Sequence, residues 1–100
     1  MAAGKKIVNI VGMRARPGGA DALDAALRLL VGESRKEGGC EVCLLHRSSD
    51  DADLFMVYER WTDAAALDAH MEATYVADFL ARLDELLSEP PDVRPFTYFF

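Results

Sequence analysis

The stretch Leu54–Phe79 reads LFMVYERWTDAAALDAHMEATYVADF. It opens with an unbroken apolar run, LFMVY, whose β-branched and aromatic content fits a strand buried on both faces. The chain then turns through ERWTD and becomes helical, with Leu67, His70 and Met71 spaced for one face. Thr62 or Asp63 can cap that helix, because a short side-chain oxygen satisfies an orphan amide of the first turn. The only tryptophan, Trp61, therefore stands at a strand-to-helix corner, and His70 lies on the inward face of the helix it introduces.

The pattern extends in both directions. Lys6–Arg14 (KIVNIVGMR) predicts a strand, ended by Arg16-Pro17-Gly18-Gly19. Ile7, Asn9, Val11 and Met13 share one of its faces; Val8, Ile10 and Gly12 share the other. Ala20–Lys36 predicts an amphipathic helix through Leu23, Ala26, Leu27, Leu30, Val31 and Ser34, with Gly38 and Gly39 as its stop. A second strand, Glu41–Arg47, and the polar turn from Ser48 to Asp53 make a hairpin with the third. Val76, Phe79, Leu80, Leu83, Leu86 and Leu87 give a helical pattern over Ala73–Leu87, closed by Pro90 and Pro91. Val93–Phe100 predicts a last strand. Pro95 lacks the amide a central ladder needs, so that strand is an edge there or pairs only from Phe96 onward.

The order β-α-β-β-α-β in one domain spanning residues 1–100 is the ferredoxin-like α+β arrangement, a four-stranded antiparallel sheet with both helices on one face. Strands apolar on both faces then need a second cover, and a second copy of the chain can supply it. The expectation is a homodimer, sheet against sheet, with the aromatic tail Phe96-Thr97-Tyr98-Phe99-Phe100 reaching the partner.

Composition narrows the function classes. Seventeen acidic against eleven basic residues, a net charge of −6, oppose nucleic-acid binding. No apolar run approaches the ~20 residues of a membrane span, and the start MAAGKKIVNIVGM is too short and interrupted for a signal peptide. The expected location is cytoplasmic. Cys40 and Cys43 spell C-E-V-C, but residues three apart on a regular strand point to opposite faces, about 10 Å apart, too far for a disulfide. Two buried structural thiols are expected. On the same alternation His46 shares a face with Cys40, Val42 and Leu44, as a solvated strand-end residue.

Four polar side chains are expected to converge between helices and sheet: Asn9, Glu59, Trp61 and His70. Asn9, an amide among Ile, Val and Met, is either satisfied by a neighbouring strand or the dimer mate, or faces a ligand. Trp61 is a packing anchor or an indole N–H aimed at a ligand. His70 is a satisfied core residue or an acid–base group. Phe79 belongs to the apolar wall. No metal-ligand spacing, dinucleotide loop or nucleophile elbow is present, so no metal and no cofactor are expected.

These residues also carry a resemblance. F-x-V-Y-E-x-W-x-D-x-x-A-L-x-A-H (Phe55–His70), M-R-A-R-P-G (Met13–Gly18), G-C (Gly39, Cys40) and E-P-P (Glu89–Pro91) resemble the antibiotic biosynthesis monooxygenase family. The resemblance implies small α+β proteins pairing as barrel-like dimers, many of which oxidise quinols or anthrones with molecular oxygen and no cofactor. It adds weight to His70; with the residue reading, His70, Trp61 and Asn9 are the candidate catalytic residues and Glu59, Tyr75 and Phe79 the candidate substrate-binding ones, with Tyr75 at the pocket mouth where relatives often carry histidine. In the haem-degrading branch only Trp61 carries over; the haem histidine falls near Leu80 and the asparagine nearer Val11, so haem is not expected. The expected activity is therefore cofactor-free oxidation of an electron-rich hydroxylated aromatic by O2. The alternatives are an isomerase or ligand-binding dimer on the same scaffold, and a dimer with a collapsed pocket.

Overall fold

Alternation along the third strand sets the architecture. In the structure, a computed structural model that describes residues 5–100, Leu54–Trp61 (β3) is a central strand. It pairs with Ile7–Arg14 (β1) on one side and Cys40–Arg47 (β2) on the other, and Asp92–Thr97 (β4) closes the far edge of β1. The order is β2-β3-β1-β4 with every pairing antiparallel. Helices Ala20–Ser34 (α1), Ala64–Met71 (α2), Thr74–Ala81 (α3) and Leu83–Leu86 (α4) complete an α+β ferredoxin-like fold. The part of the N-terminal reading that covers residues 1–4 lies outside the described residues.

The residues pointing inward follow from the register. Ile7, Asn9, Val11 and Met13 stand opposite Trp61, Glu59, Val57 and Phe55. Phe55, Val57, Met13 and Cys43 join Leu23, Leu27 and Val31 of α1 and Phe79 of α3 in one buried cluster. Between β1 and α1 the chain turns at Gly18, whose φ of 76° is cheap only for glycine. The outer face carries Val8, Ile10, Tyr58 and Phe96 and, among the described residues, no helix. Phe99 and Phe100 beyond it are 93% and 98% exposed.

Four features differ most from the sequence reading. Helix α1 ends at Ser34, not Lys36, because Lys36 N and Glu37 N bond to the Glu33 and Ser34 carbonyls at 3.1 Å in tightened i→i+3 turns. The helix expected over Ala73–Leu87 breaks at Arg82 (φ −97°, ψ 0°). Arg16 N bonds to Leu86 O, Ser88 N bonds to Arg14 O, and these links to the end of β1 override the helical period. Strand β4 ends at Thr97, and its pairing starts at Asp92 with Pro95 opposite Asn9, so it is not delayed to Phe96; β4 is an edge strand, where proline is tolerated.

The fourth difference changes the cysteines. The β2–β3 register shifts between Cys40 and Val42, so Cys40 stands opposite Trp61 and Cys43 opposite Glu59. This β-bulge gives β2 one extra residue, and both thiols then share the inner face instead of pointing apart. His46 pairs with Met56 on the outer face and is exposed, with Val42 and Leu44 but without Cys40. Cys43 is buried as expected, whereas Cys40 is half-buried.

Candidate functional site

Small residues bring the second helix to the sheet. Asp63 caps α2 by accepting from Ala66 N at 2.9 Å, which fixes where the helix starts. Ala66 then lies against Gly39, where an added Cβ would fall well inside van der Waals contact of the Ala66 methyl. Thr62 N also bonds to Gly39 O at 2.9 Å. This close approach carries His70, at the last turn of α2, down onto Trp61, with ring centroids 4.4 Å apart.

His70 is buried and held from behind. Its Nδ1 lies 2.7 Å from Glu37 Oε2, and the Tyr75 hydroxyl donates to the same oxygen. An ionised carboxylate only accepts, so the bond assigns the ring proton of His70 to Nδ1. Among the described residues only Nδ1 of that ring is hydrogen-bonded, leaving Nε2 as the nitrogen open to a ligand. Ser34, buried on α1, lies 3.4 Å from the Tyr75 oxygen and bonds back to Leu30 O at 2.7 Å. Burial, then the bond to Glu37, pushes the Tyr75 phenol well above its usual range, so it stays a donor.

In front of His70 is a cavity of about 210 Å³. Its polar walls are Asn9, Glu59 and His70, and its apolar walls include Met13, Leu67, Val76, Phe79 and Leu83. Asn9 Nδ2 donates to Glu59 Oε1 at 3.2 Å across the β1–β3 pair, so the amide is satisfied by a neighbouring strand while still facing the cavity. Met71, Leu80 and Val93, roughly half exposed, also line the cavity.

Two of the candidate residues stand outside the cavity walls. Trp61 is 0% exposed and is not among the cavity walls. Its indole N–H has no partner among the described residues, and its ring lies against His70. Tyr75 does not stand at the cavity mouth either, because its hydroxyl turns inward to Glu37 and Ser34. Asn9, Glu59, His70 and Phe79 do line the cavity.

Glu37 escaped the sequence reading. It follows the helix, in a segment that looks like a solvated turn. The available signal was Ser34, a hydroxyl on an otherwise apolar stripe, with a carboxylate three residues on and Gly-Gly after it. No group of three or more His, Cys, Asp or Glu is placed to hold a metal ion among the described residues. Burial raises the Cys43 thiol to about 12 and also lifts Cys40, which makes both poor nucleophiles near neutral pH. No helix among the described residues is long and apolar enough to cross a membrane.

Comparison with known proteins places the arrangement among relatives. A family model described as antibiotic biosynthesis monooxygenase matches residues 6–82. The chain is 33% identical over 75 residues to Rv0793 of Mycobacterium tuberculosis, provisionally named a monooxygenase; the match covers 75% of this chain and 73% of that one. It is 38% identical over 64 residues to YcnE of Bacillus subtilis, named in the same way, covering 64% and 67% of the two chains. Among solved structures, PA3566 of Pseudomonas aeruginosa superposes with a TM-score of 0.92 at 31% identity, over 100% of both chains.

Proposed function

The chain belongs to the antibiotic biosynthesis monooxygenase family, and we propose that it is a cofactor-independent monooxygenase acting with O2 on a small hydroxylated aromatic of the quinol type. The observation that carries this reading is the cavity with a single oriented imidazole, Glu37–His70, facing an otherwise mostly apolar wall. Deprotonating a hydroquinone makes an electron-rich anion that O2 oxidises. The ring carbon gains one oxygen, the peroxide O–O bond breaks, and the second oxygen leaves as water, so hydroquinone and O2 give a hydroxyquinone and H2O. The protein has to bind the ring, take the proton and hold the anion.

His70 Nε2 is the base. Glu37 fixes its tautomer and stabilises the imidazolium that forms, as a carboxylate does behind a catalytic histidine. The Asn9 amide and the Glu59 carboxylate offer a donor and an acceptor to the substrate's oxygens. Size argues for one or two rings. An apolar cavity of ~150 Å³ takes benzene, while drug-sized ligands need ~300–1,000 Å³, so 210 Å³ suits a quinol better than a three-ring anthrone.

A second copy of the chain covers the outer face of the sheet in this reading, because Leu44, Phe96, Tyr98, Phe99 and Phe100 would otherwise leave an apolar patch in water. Light scattering should give twice the 11.0 kDa chain mass; a species of one chain mass at micromolar concentration sinks the dimer.

The activity is tested with an oxygen electrode and a one-ring or two-ring hydroquinone. One O2 should be consumed per quinol without stoichiometric H2O2, and His70→Ala should lower turnover by roughly 10²–10⁴. Binding without oxygen uptake would replace the monooxygenase with a ligand-binding role. Wild-type turnover in His70→Ala would remove the base.

A further inference from the structure

A larger hollow, about 530 Å³, lies on the opposite flank of α1, between that helix and β2. It shares no wall with the cavity in front of His70. Three arginines line it: Arg28 on α1, Arg35 at its C-terminal cap and Arg47 at the end of β2. Each is tied down through Nε. Arg28 donates to the Asp24 carboxylate, Arg35 to Cys43 O at 2.8 Å, and Arg47 to Ala52 O at 2.7 Å. The Arg47 guanidinium also stacks 4.9 Å over the Phe55 ring.

This anchoring has a chemical consequence. A guanidinium fixed by Nε presents its terminal pair of nitrogens as a planar fork, with much of its ordering entropy already lost. Arg47 Nη1 comes no nearer than 4.0 Å to Asp24 Oδ2, too long for a direct hydrogen bond. Three arginines against the one aspartate leave the groove with two surplus positive charges, in a chain whose net charge is −6. Between the forks Leu45 is half-buried, with Val31 and Phe55 buried beneath it.

We propose that this groove is a second binding site, for a small organic oxyanion. Its carboxylate or phosphate is gripped by the arginine forks and its apolar body lies on Leu45. Forked guanidiniums match planar carboxylate and phosphate oxygens bidentately, which a lysine cluster does not. The volume falls within the range that encloses small organic ligands. The assignment is independent of the oxygenase reading, because none of these residues faces His70.

The test titrates the whole chain separately with phenyl phosphate, benzoate and inorganic phosphate, following amide and arginine Nε–H resonances by NMR. Saturable shifts centred on Arg28, Arg35 and Arg47 are expected for at least one organic anion, and the tighter of the two names the head group. Arg47→Lys, which keeps the charge and loses the fork, should weaken binding about tenfold or more. Arg28→Gln should also weaken it; its side chain is 74% exposed, so this variant answers the question if Arg47→Lys does not fold. Shifts that stay linear with concentration, centre on His70 or persist in both variants overturn the site. Inorganic phosphate binding as tightly as phenyl phosphate overturns the organic assignment.

Discussion

The two faces of β3 differ less in sequence than in what covers them. Phe55, Val57 and Trp61 point inward and are buried under the helices, while Met56 and Tyr58 point outward and keep partial exposure. Both sets are apolar, so hydrophobicity alone does not say which face is the core. The inner face also holds Asn9, Glu59 and His70, each with a hydrogen-bonding partner. The outer face ends at Phe99 and Phe100, which nothing among the described residues covers. Polar groups collect where helices exclude water and the sheet can satisfy them; large apolar groups are left where only another surface can.

The largest expected effect separates the faces directly. Phe55→Ala removes a ring that is 1% exposed and should cost about 3–5 kcal/mol of unfolding free energy. Phe99→Ala, at 93% exposure, should change the stability of the dilute protomer by less than about 0.5 kcal/mol. Urea denaturation measures both. Equal costs would mean the tail is packed as tightly as the core, and the contrast between the faces would collapse.

A smaller effect probes how the inner face was assembled. Gly39→Ala puts a methyl into the Ala66 methyl and should cost about 1–3 kcal/mol, as overpacking does. Ala66→Gly in the same chain should recover part of that loss. If the double variant is no better than Gly39→Ala alone, close approach of α2 is not the reason for glycine there.

The smallest effect is confined to alkaline solution. The Tyr75 phenol is raised above its ordinary value of about 10. The fold therefore favours its neutral form, so this contribution is fully present below pH ~10 and fades as the pH climbs through the raised value. Wild-type stability should fall more steeply above pH ~10 than that of Tyr75→Phe, followed by thermal unfolding across pH. Parallel curves would show that the phenol is not locked to Glu37.

Local rules carried far along this chain. Strand patterning placed β1 within a residue, the apolar run placed the start of β3 although the strand continues past it to Trp61, and the apolar stripe placed the start of α1. The distinction between Thr62 and Asp63 as cap needed geometry, since both offer an oxygen and only Asp63 reaches Ala66 N. Asn9, Glu59, His70 and Phe79 were identifiable because unusual polarity, or a large ring, sat on a face whose direction the period fixes. That Trp61 and Tyr75 stand outside the cavity walls was not legible, because proximity along the chain says nothing about which way an indole N–H or a phenol turns.

By itself, then, the sequence determined the elements, their order, and the inward direction of the residues around Trp61 and His70, because these follow from periods of two and 3.6 and from short-range capping. The tertiary structure alone decided the rest. The bulge that turns both cysteines to one face comes from strand pairing, and the break at Arg82 comes from hydrogen bonds to the distant end of β1. The carboxylate that orients His70 lies 33 positions away in the chain, at Glu37. The arginine groove likewise joins α1 to the end of β2. Contacts of that kind depend on how a helix end meets a strand, and no local pattern encodes that meeting.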